Sequence, residues 1–254
     1  MRLLFIICLS LISWTSAIAA TPSPLAASKL TYSLSGSGNY YPYYTHNTSK
    51  PGILPEMISA ILKEAGISGQ NIELPAKRTN YYLQTEQIDF DVISPSWLSE
   101  SELGNEKFVY SHPILEIKEF IVIRQGFQYI DHIHRKKRPV GTVRGYYYHD
   151  DNEFERLDFN SEKELLQALE MQRIDSIIVG DLPALYWGKK LDIAFSFAAT
   201  HSVGHLHLRL LAKHQPLLDK LNQAISKLRE EGRFTQIEQS YMESLHDLPH
   251  DPER

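Results

Sequence analysis

Residues 139–145 read Pro-Val-Gly-Thr-Val-Arg-Gly. The run Val140 to Val143 is short, β-branched and closed by a glycine, which predicts a buried strand running into a turn. Downstream, Ser161-Glu162-Lys163-Glu164 forms a capping box ahead of Leu165, Leu166 and Leu169, predicting a helix. Ile174 to Val179 is a second apolar strand, closed by Gly180-Asp181. Strand, helix, strand in that order is the unit that builds largely parallel α/β sheets. Ile193 to Phe197 supplies the last strand of this block.

The same alternation holds upstream. Leu30 to Leu34 is a strand candidate. Leu54, Met57, Ile58, Ile61, Leu62 and Ala65 fall at helical spacing, with Pro55 near the start and Gly66 past the end. Asn71 to Leu74, Phe90 to Ile93 and Glu119 to Arg124 read as strands, and His205 to Ala212 as a long strand returning elsewhere. Two helices follow: Pro216 to Glu231, with Leu218, Leu221, Ile225 and Leu228 on one face, and Arg233 to Met242. Two blocks joined by two extended segments, Glu119–Arg124 and His205–Ala212, predict an α/β, two-lobed molecule with a two-strand hinge. The expected boundaries are 21–120 with 206–245 for a discontinuous lobe 1 and 121–205 for lobe 2. A polar tail over 246–254 follows.

The chain has 254 residues, 43% hydrophobic composition and a formal charge of −5. That is enough for a full core and unsuited to nucleic-acid binding. The basic cluster His134–Arg138 reads as a solvated turn. Residues 1–20 read as a cleaved signal peptide: a positive start, an apolar run from Leu3 to Ile12, and a small-x-small site at Ala17-Ile18-Ala19. The mature protein is expected in the periplasm. Cys8 lies inside that leader, so the mature chain holds no disulfide framework.

The order of motifs resembles the bacterial extracellular solute-binding proteins of the polar amino-acid type, with the type II periplasmic binding protein-like fold. Tyr41-Pro42-Tyr43-Tyr44 followed by Gly52 to Met57 is similar to the family's aromatic loop and first helix. Ile88 to Asp91 resembles the strand before the ligand loop. Tyr110-Ser111-His112-Pro113 resembles its "F-S-x-P" signature, Val140 to Gly145 its "V-G-V-x-x-G", and Arg173 to Asp181 the second-lobe strand end. The resemblance implies a monomer that closes two lobes on a small polar or amphipathic solute, amino-acid-like or amine-containing. It implies presentation of that solute to a membrane permease, or signalling to a sensor protein.

The departures from the family pattern bear on the solute. Members that bind α-amino acids carry an arginine in a "T-x-x-R" motif, a bidentate fork for the carboxylate. Here Ser94 to Glu102 holds none. Gly145 is followed by Tyr146 where a small hydroxyl residue often opens a helix. Asp181 matches the acid that receives the ligand ammonium, and Arg78 is a candidate replacement anion contact. The resemblance places Tyr41, Tyr43, Tyr44, Ser94, Ser96, Trp97, Arg144, Gly145 and Tyr146 around the cleft. A group of rings with one acid and one arginine suits an amphipathic or cationic solute.

No cofactor and no metal are expected. His132/His134 and His205/His207 are His-x-His pairs, but neither has a third ligand at persuasive spacing. Asp150/Asp151 and Glu153/Glu155 read as a solvated charge run. With no nucleophile motif and no placed acid–base pair, an enzyme is not expected; a dehydratase like those some relatives of this fold have become is the lesser alternative. The other alternative is a sensory or protein-contact domain with a diverged pocket.

Overall fold

The computed structural model describes residues 29–34, 36–38, 40–128 and 138–246. The leader, His132 and His134, most of the 134–138 basic cluster and the tail past 246 lie outside the described residues.

Among the described residues the strands form one nine-stranded curled sheet, in the order β2-β1-β3-β9-β5-β8-β6-β7 with β4 also on β9. One half holds β1 (Leu30–Ser33), β2 (Gly69–Asn71), β3 (Phe90–Ile93) and β4 (Phe108–Tyr110). The other holds β6 (Val140–Val143), β7 (Arg156–Phe159) and β8 (Ser176–Gly180). Two long antiparallel strands, β5 (Leu115–Arg124) and β9 (Phe195–Leu211), join the halves. Their pairing shifts register between Glu119 and Phe120 and again between Ile121 and Val122. The molecule is thus two-lobed with a two-strand hinge.

Three expectations change. The pairing is evenly mixed, because every contact of β5 and β9 is antiparallel, whereas β1 with β2 and β3, and β6 with β7 and β8, are parallel. The segments Ile193–Phe197 and His205–Ala212 are not separate strands. The polar stretch between them stays in the ladder opposite β5, giving one strand of 17 residues. Finally, β2 begins at Gly69 and ends at Asn71, earlier than expected, because its partner β1 pairs Leu30 with Gly69.

Helix α1 (Ile53–Glu64) buries Met57, Ile58 and Ile61 completely, each burial contributing about 1.5–3 kcal/mol. It packs with α6 (Leu218–Glu230) and α7 (Arg233–His246) on the first half-sheet, over Phe90, Leu208 and Leu210. In the second half, α4 (Glu162–Glu170) and α5 (Asp181–Leu191) close a core of Val122, Val143, Leu165, Leu169, Ile177 and Trp187. Ser161 caps α4 by accepting from the Glu164 N–H, while the Glu164 carboxylate turns to the Asn160 N–H at 3.0 Å. Helix α2 (Ala76–Gln84) brings Ala76, Thr79 and Asn80 to the cleft, and the short helix α3 (Glu100–Leu103) follows the Trp97 segment.

Tyr241 fixes α7 to the start of α1. Its buried hydroxyl accepts from the Gly52 N–H at 2.8 Å and donates to the Glu56 carboxylate at 2.6 Å. Gly52 has no side-chain cap of its own. Tyr241→Phe leaves that buried N–H unsatisfied and is expected to cost about 1–3 kcal/mol. A urea titration monitored by circular dichroism reads the midpoint; an unchanged midpoint would show that the hydroxyl has no structural role.

Candidate functional site

The cleft between the lobes holds a cavity of about 110 Å³ with a mainly apolar lining. From the first lobe come Tyr40, Thr79, Asp91 and Trp97. From the second come Gly145, Tyr146 and Tyr147, on the loop that follows β6, and Glu119 lies at the crossing of β5 and β9. Among the described residues no lysine or arginine lines it.

A guanidinium that contacts two of the lining residues, Asp91 and Tyr147, is already engaged. Asp91 and Arg209 are direct cross-strand partners on β3 and β9, both almost fully buried. Arg209 donates from Nε at 3.0 Å and from Nη2 at 2.6 Å to the two Asp91 oxygens. Its guanidinium is sandwiched by Phe108 at 5.1 Å and by Tyr147 of the opposite lobe at 5.7 Å. Burial disfavours its charge, but the Asp91 carboxylate outweighs that and raises the Arg209 pKa. The pair meets the fork geometry that would otherwise take a solute carboxylate.

Glu119 belongs to a second polar network. It accepts from the Ser202 hydroxyl at 2.8 Å, and the His201 ring sits 3.7 Å from the same oxygen. On its other side His201 is 2.9 Å from Asp150. Burial pulls the His201 pKa down, but the hydrogen bond to Asp150 and the nearness of Glu119 outweigh it and raise it to about 9. The imidazolium therefore balances two carboxylates at the back of the cavity.

The lobes touch around the cavity. Gly145, at φ +83°, lies against the Lys77 backbone so closely that a Cβ would stand 2.6 Å from the Lys77 nitrogen. Asn80 donates to the Gly145 carbonyl at 3.0 Å. The Ser37 hydroxyl donates to the Glu162 carboxylate at 2.6 Å, and the Ser37 N–H to the Tyr146 hydroxyl at 3.2 Å. Burial lifts the Glu162 carboxyl above the usual range, with the Ser37 bond working against the rise. Tyr41 stacks on Tyr186 of α5, ring centroids 4.0 Å apart. The structure is a closed form.

The sequence model of the bacterial extracellular solute-binding proteins, family 3, matches residues 33–244. The chain belongs to this family. No curated protein matches it in sequence. Solved structures agree in fold. An arginine-binding protein from T. maritima superposes with a TM-score of 0.69 at 14% identity, covering 85% of this chain and 95% of that one. The GluR0 ligand-binding core from Nostoc punctiforme, in complex with L-glutamate, gives 0.69 at 16% identity, covering 84% and 99%. A histidine kinase sensor domain with similarity to periplasmic binding proteins gives 0.70 at 15% identity, covering 84% and 95%. Among the described residues no helix is long and apolar enough to cross a membrane.

Within this family fold, the residues expected at the site scatter. Trp97, Gly145 and Tyr146 line the cavity. The Trp97 Nε1 is buried with no hydrogen-bond partner. Ser94 and Ser96 hold each other at 2.8 Å and pack on Gly204 of β9, where a Cβ would meet their hydroxyls at 2.6 and 2.4 Å. Tyr43 is core, and Tyr44 is core with its hydroxyl donating to Glu73 at 2.7 Å. Arg78 is exposed on α2, and Arg144 is exposed and donates to Asn160 at 3.2 Å. Asp181 opens α5, accepts the Leu182 N–H at 2.7 Å, and lines a different cleft with Tyr43, Lys118 and Glu238. Burial raises its carboxyl, its own N-terminal hydrogen bond partly offsetting this.

Sequence reasoning missed Tyr40, Asp91 and Glu119. Two of them carried a signal. In Leu115-Glu116-Ile117-Lys118-Glu119-Phe120-Ile121, the inward positions are Leu115, Ile117, Glu119 and Ile121, so an acid stands on the apolar face. Asp91 likewise replaces an apolar residue in a four-residue buried strand.

Proposed function

We propose that this protein binds, between its lobes, a small solute with a cationic amine head on an apolar body and no free carboxylate. The observation that carries this is the pairing of charges around the cavity. Glu119 faces a space that no lysine or arginine among the described residues lines, while the guanidinium behind the wall is closed off by Asp91. The rings of Tyr40, Trp97, Tyr146 and Tyr147 suit an apolar or cationic body by stacking and cation–π contact. The unpartnered Trp97 N–H supports one acceptor on the solute. Neighbours in fold described as arginine-binding, and one bound to L-glutamate, support an amine head on the solute, while the lining of this cavity argues against the carboxylate those solutes also carry. In this reading Arg78, Arg144 and Asp181 serve the rim and the second cleft. A membrane permease reads the closed form and takes the solute.

The test is a thermal-shift and calorimetry panel of amines, basic amino acids and carboxylic acids on refolded mature protein. An amine hit is expected, weakened about 10–100-fold in Glu119→Gln, the loss of a charge-assisted hydrogen bond of about 1.5–3 kcal/mol. Binding only by carboxylic acids, or a Glu119→Gln variant with unchanged affinity, would overturn the assignment.

A second reading is favoured by one observation: the lobes are already tied by the Ser37–Glu162 and Asn80–Gly145 bonds around a cavity of only about 110 Å³. In that reading the chain is a sensory or protein-contact domain with a diverged pocket, as the sensor-domain neighbour supports. A silent panel with retained binding to a membrane partner is its expected outcome.

A further inference from the structure

Behind the solute cleft, we propose that His149, Asp150 and His201 form a binding site for a borderline divalent cation of the Zn²⁺ type. The three offer one ligand atom each, all within 4.8 Å of one another. His201 Nε2 lies 2.9 Å from Asp150 Oδ1, and His149 Nδ1 lies 4.0 Å from the same oxygen. The two imidazoles are 4.9 Å apart. Two imidazole nitrogens and a carboxylate oxygen are a common donor set for a three-ligand zinc site with one position open. Tetrahedral zinc–ligand bonds of about 2.0–2.2 Å set donor atoms roughly 3.4 Å apart, so the His201–Asp150 contact opens slightly while His149 draws inward. His149 can supply that movement: its side chain is 42% exposed, against 7% for Asp150.

The second, independent observation is the far side of His201. Its Nδ1 is buried without a hydrogen-bond partner, and the Glu119 carboxylate stands 3.7 Å away. A carboxylate on the outer nitrogen of a ligating histidine fixes the tautomer and strengthens the ligand. With metal on Nε2, the His201 Nδ1–H donates to Glu119, and the metal replaces the proton that Nε2 shares with Asp150. Two carboxylates converging on one imidazole make a field that suits a dication. The exposed His149 edge provides the entry path and the open coordination position. The ligands come from the loop after β6 and from β9, which explains why spacing along the chain hid them: His201 is far in sequence from the adjacent His149-Asp150 pair. Because Glu119 also lines the solute cavity, the ion would set the orientation of that carboxylate.

The experiment uses the mature chain without a histidine tag, stripped with chelator. Calorimetry with ZnCl₂ is expected to show a single Zn²⁺ per chain, and Co²⁺ to give the visible absorption of a tetrahedral site. His149→Ala, a surface change that leaves the core intact, is expected to weaken Zn²⁺ binding at least 10-fold, and Asp150→Asn likewise. The control His205→Ala/His207→Ala should bind as the parent does. No saturable Zn²⁺ binding, or binding that survives His149→Ala but is lost in the His205/His207 control, would overturn the site.

Discussion

Gly145→Val is expected to hold the two lobes apart and to weaken solute binding at least about 100-fold. The reason is the approach of Gly145 to the Lys77 backbone, where a Cβ would stand 2.6, 2.8 and 2.8 Å from the Lys77 nitrogen, Cα and Cβ. Backbone atoms of α2 cannot turn aside as a flexible side chain would. A clash present only in the closed state shifts the equilibrium to the open one, and apparent affinity falls with the closed population. A penalty of about 3 kcal/mol is enough for a 100-fold loss. The positive φ adds strain to both states, of about 1–2 kcal/mol, and leaves the open–closed balance alone. Small-angle scattering should show a larger radius of gyration than the parent, and Gly145→Ala an intermediate one. A variant with the parent's radius and affinity would show that Gly145 is not the point of closest approach.

The second large effect concerns the buried ion pair. Arg209→Met is expected to destabilise the protein by about 3–5 kcal/mol, because Asp91 is left charged or unsatisfied with only 4% exposure. At about 2–4 °C per kcal/mol for a chain of this size, the melting temperature should fall by roughly 6–20 °C. The double variant Asp91→Leu/Arg209→Met should recover most of the loss, since an apolar pair of similar volume removes both desolvation penalties. Arg209→Lys should not recover it: an ammonium cannot make the two-point contact or fill the slot between Phe108 and Tyr147. Denaturation of the four proteins checks this, and equal stability of single and double variants would refute the account.

The fold was legible because its signals are local. Val140–Val143, Phe90–Ile93 and the α1 periodicity each appear where apolar spacing puts them. The site was less legible because its members are chosen by register. Glu119 and Asp91 matter through the strands beside them, Ser202 and Arg209 on β9, and no spacing within one segment reveals that pairing. The tyrosines illustrate the point. Tyr40 through Tyr44 alternate between core, cavity wall and the opposite lobe within five residues, a division set by the turn and not by residue type. The loop after Gly145 carries Tyr146, Tyr147 and Tyr148 without a helix, so the rings occupy space that the family resemblance assigned to a helix start.

Glu119 sits where β5 slips register against β9, within the two-strand hinge, so on the proposed reading the carboxylate that holds the solute would also lie near the fulcrum of the two lobes. A pull applied at a fulcrum has no lever arm. Grip on Glu119 can anchor a solute but cannot turn one lobe toward the other; the torque has to come from contacts farther out, such as Trp97 on one side and Tyr147 on the other. A solute too short to span from the axis to those rings would then bind without shutting the cleft. Length, more than charge, would decide whether occupancy becomes a signal.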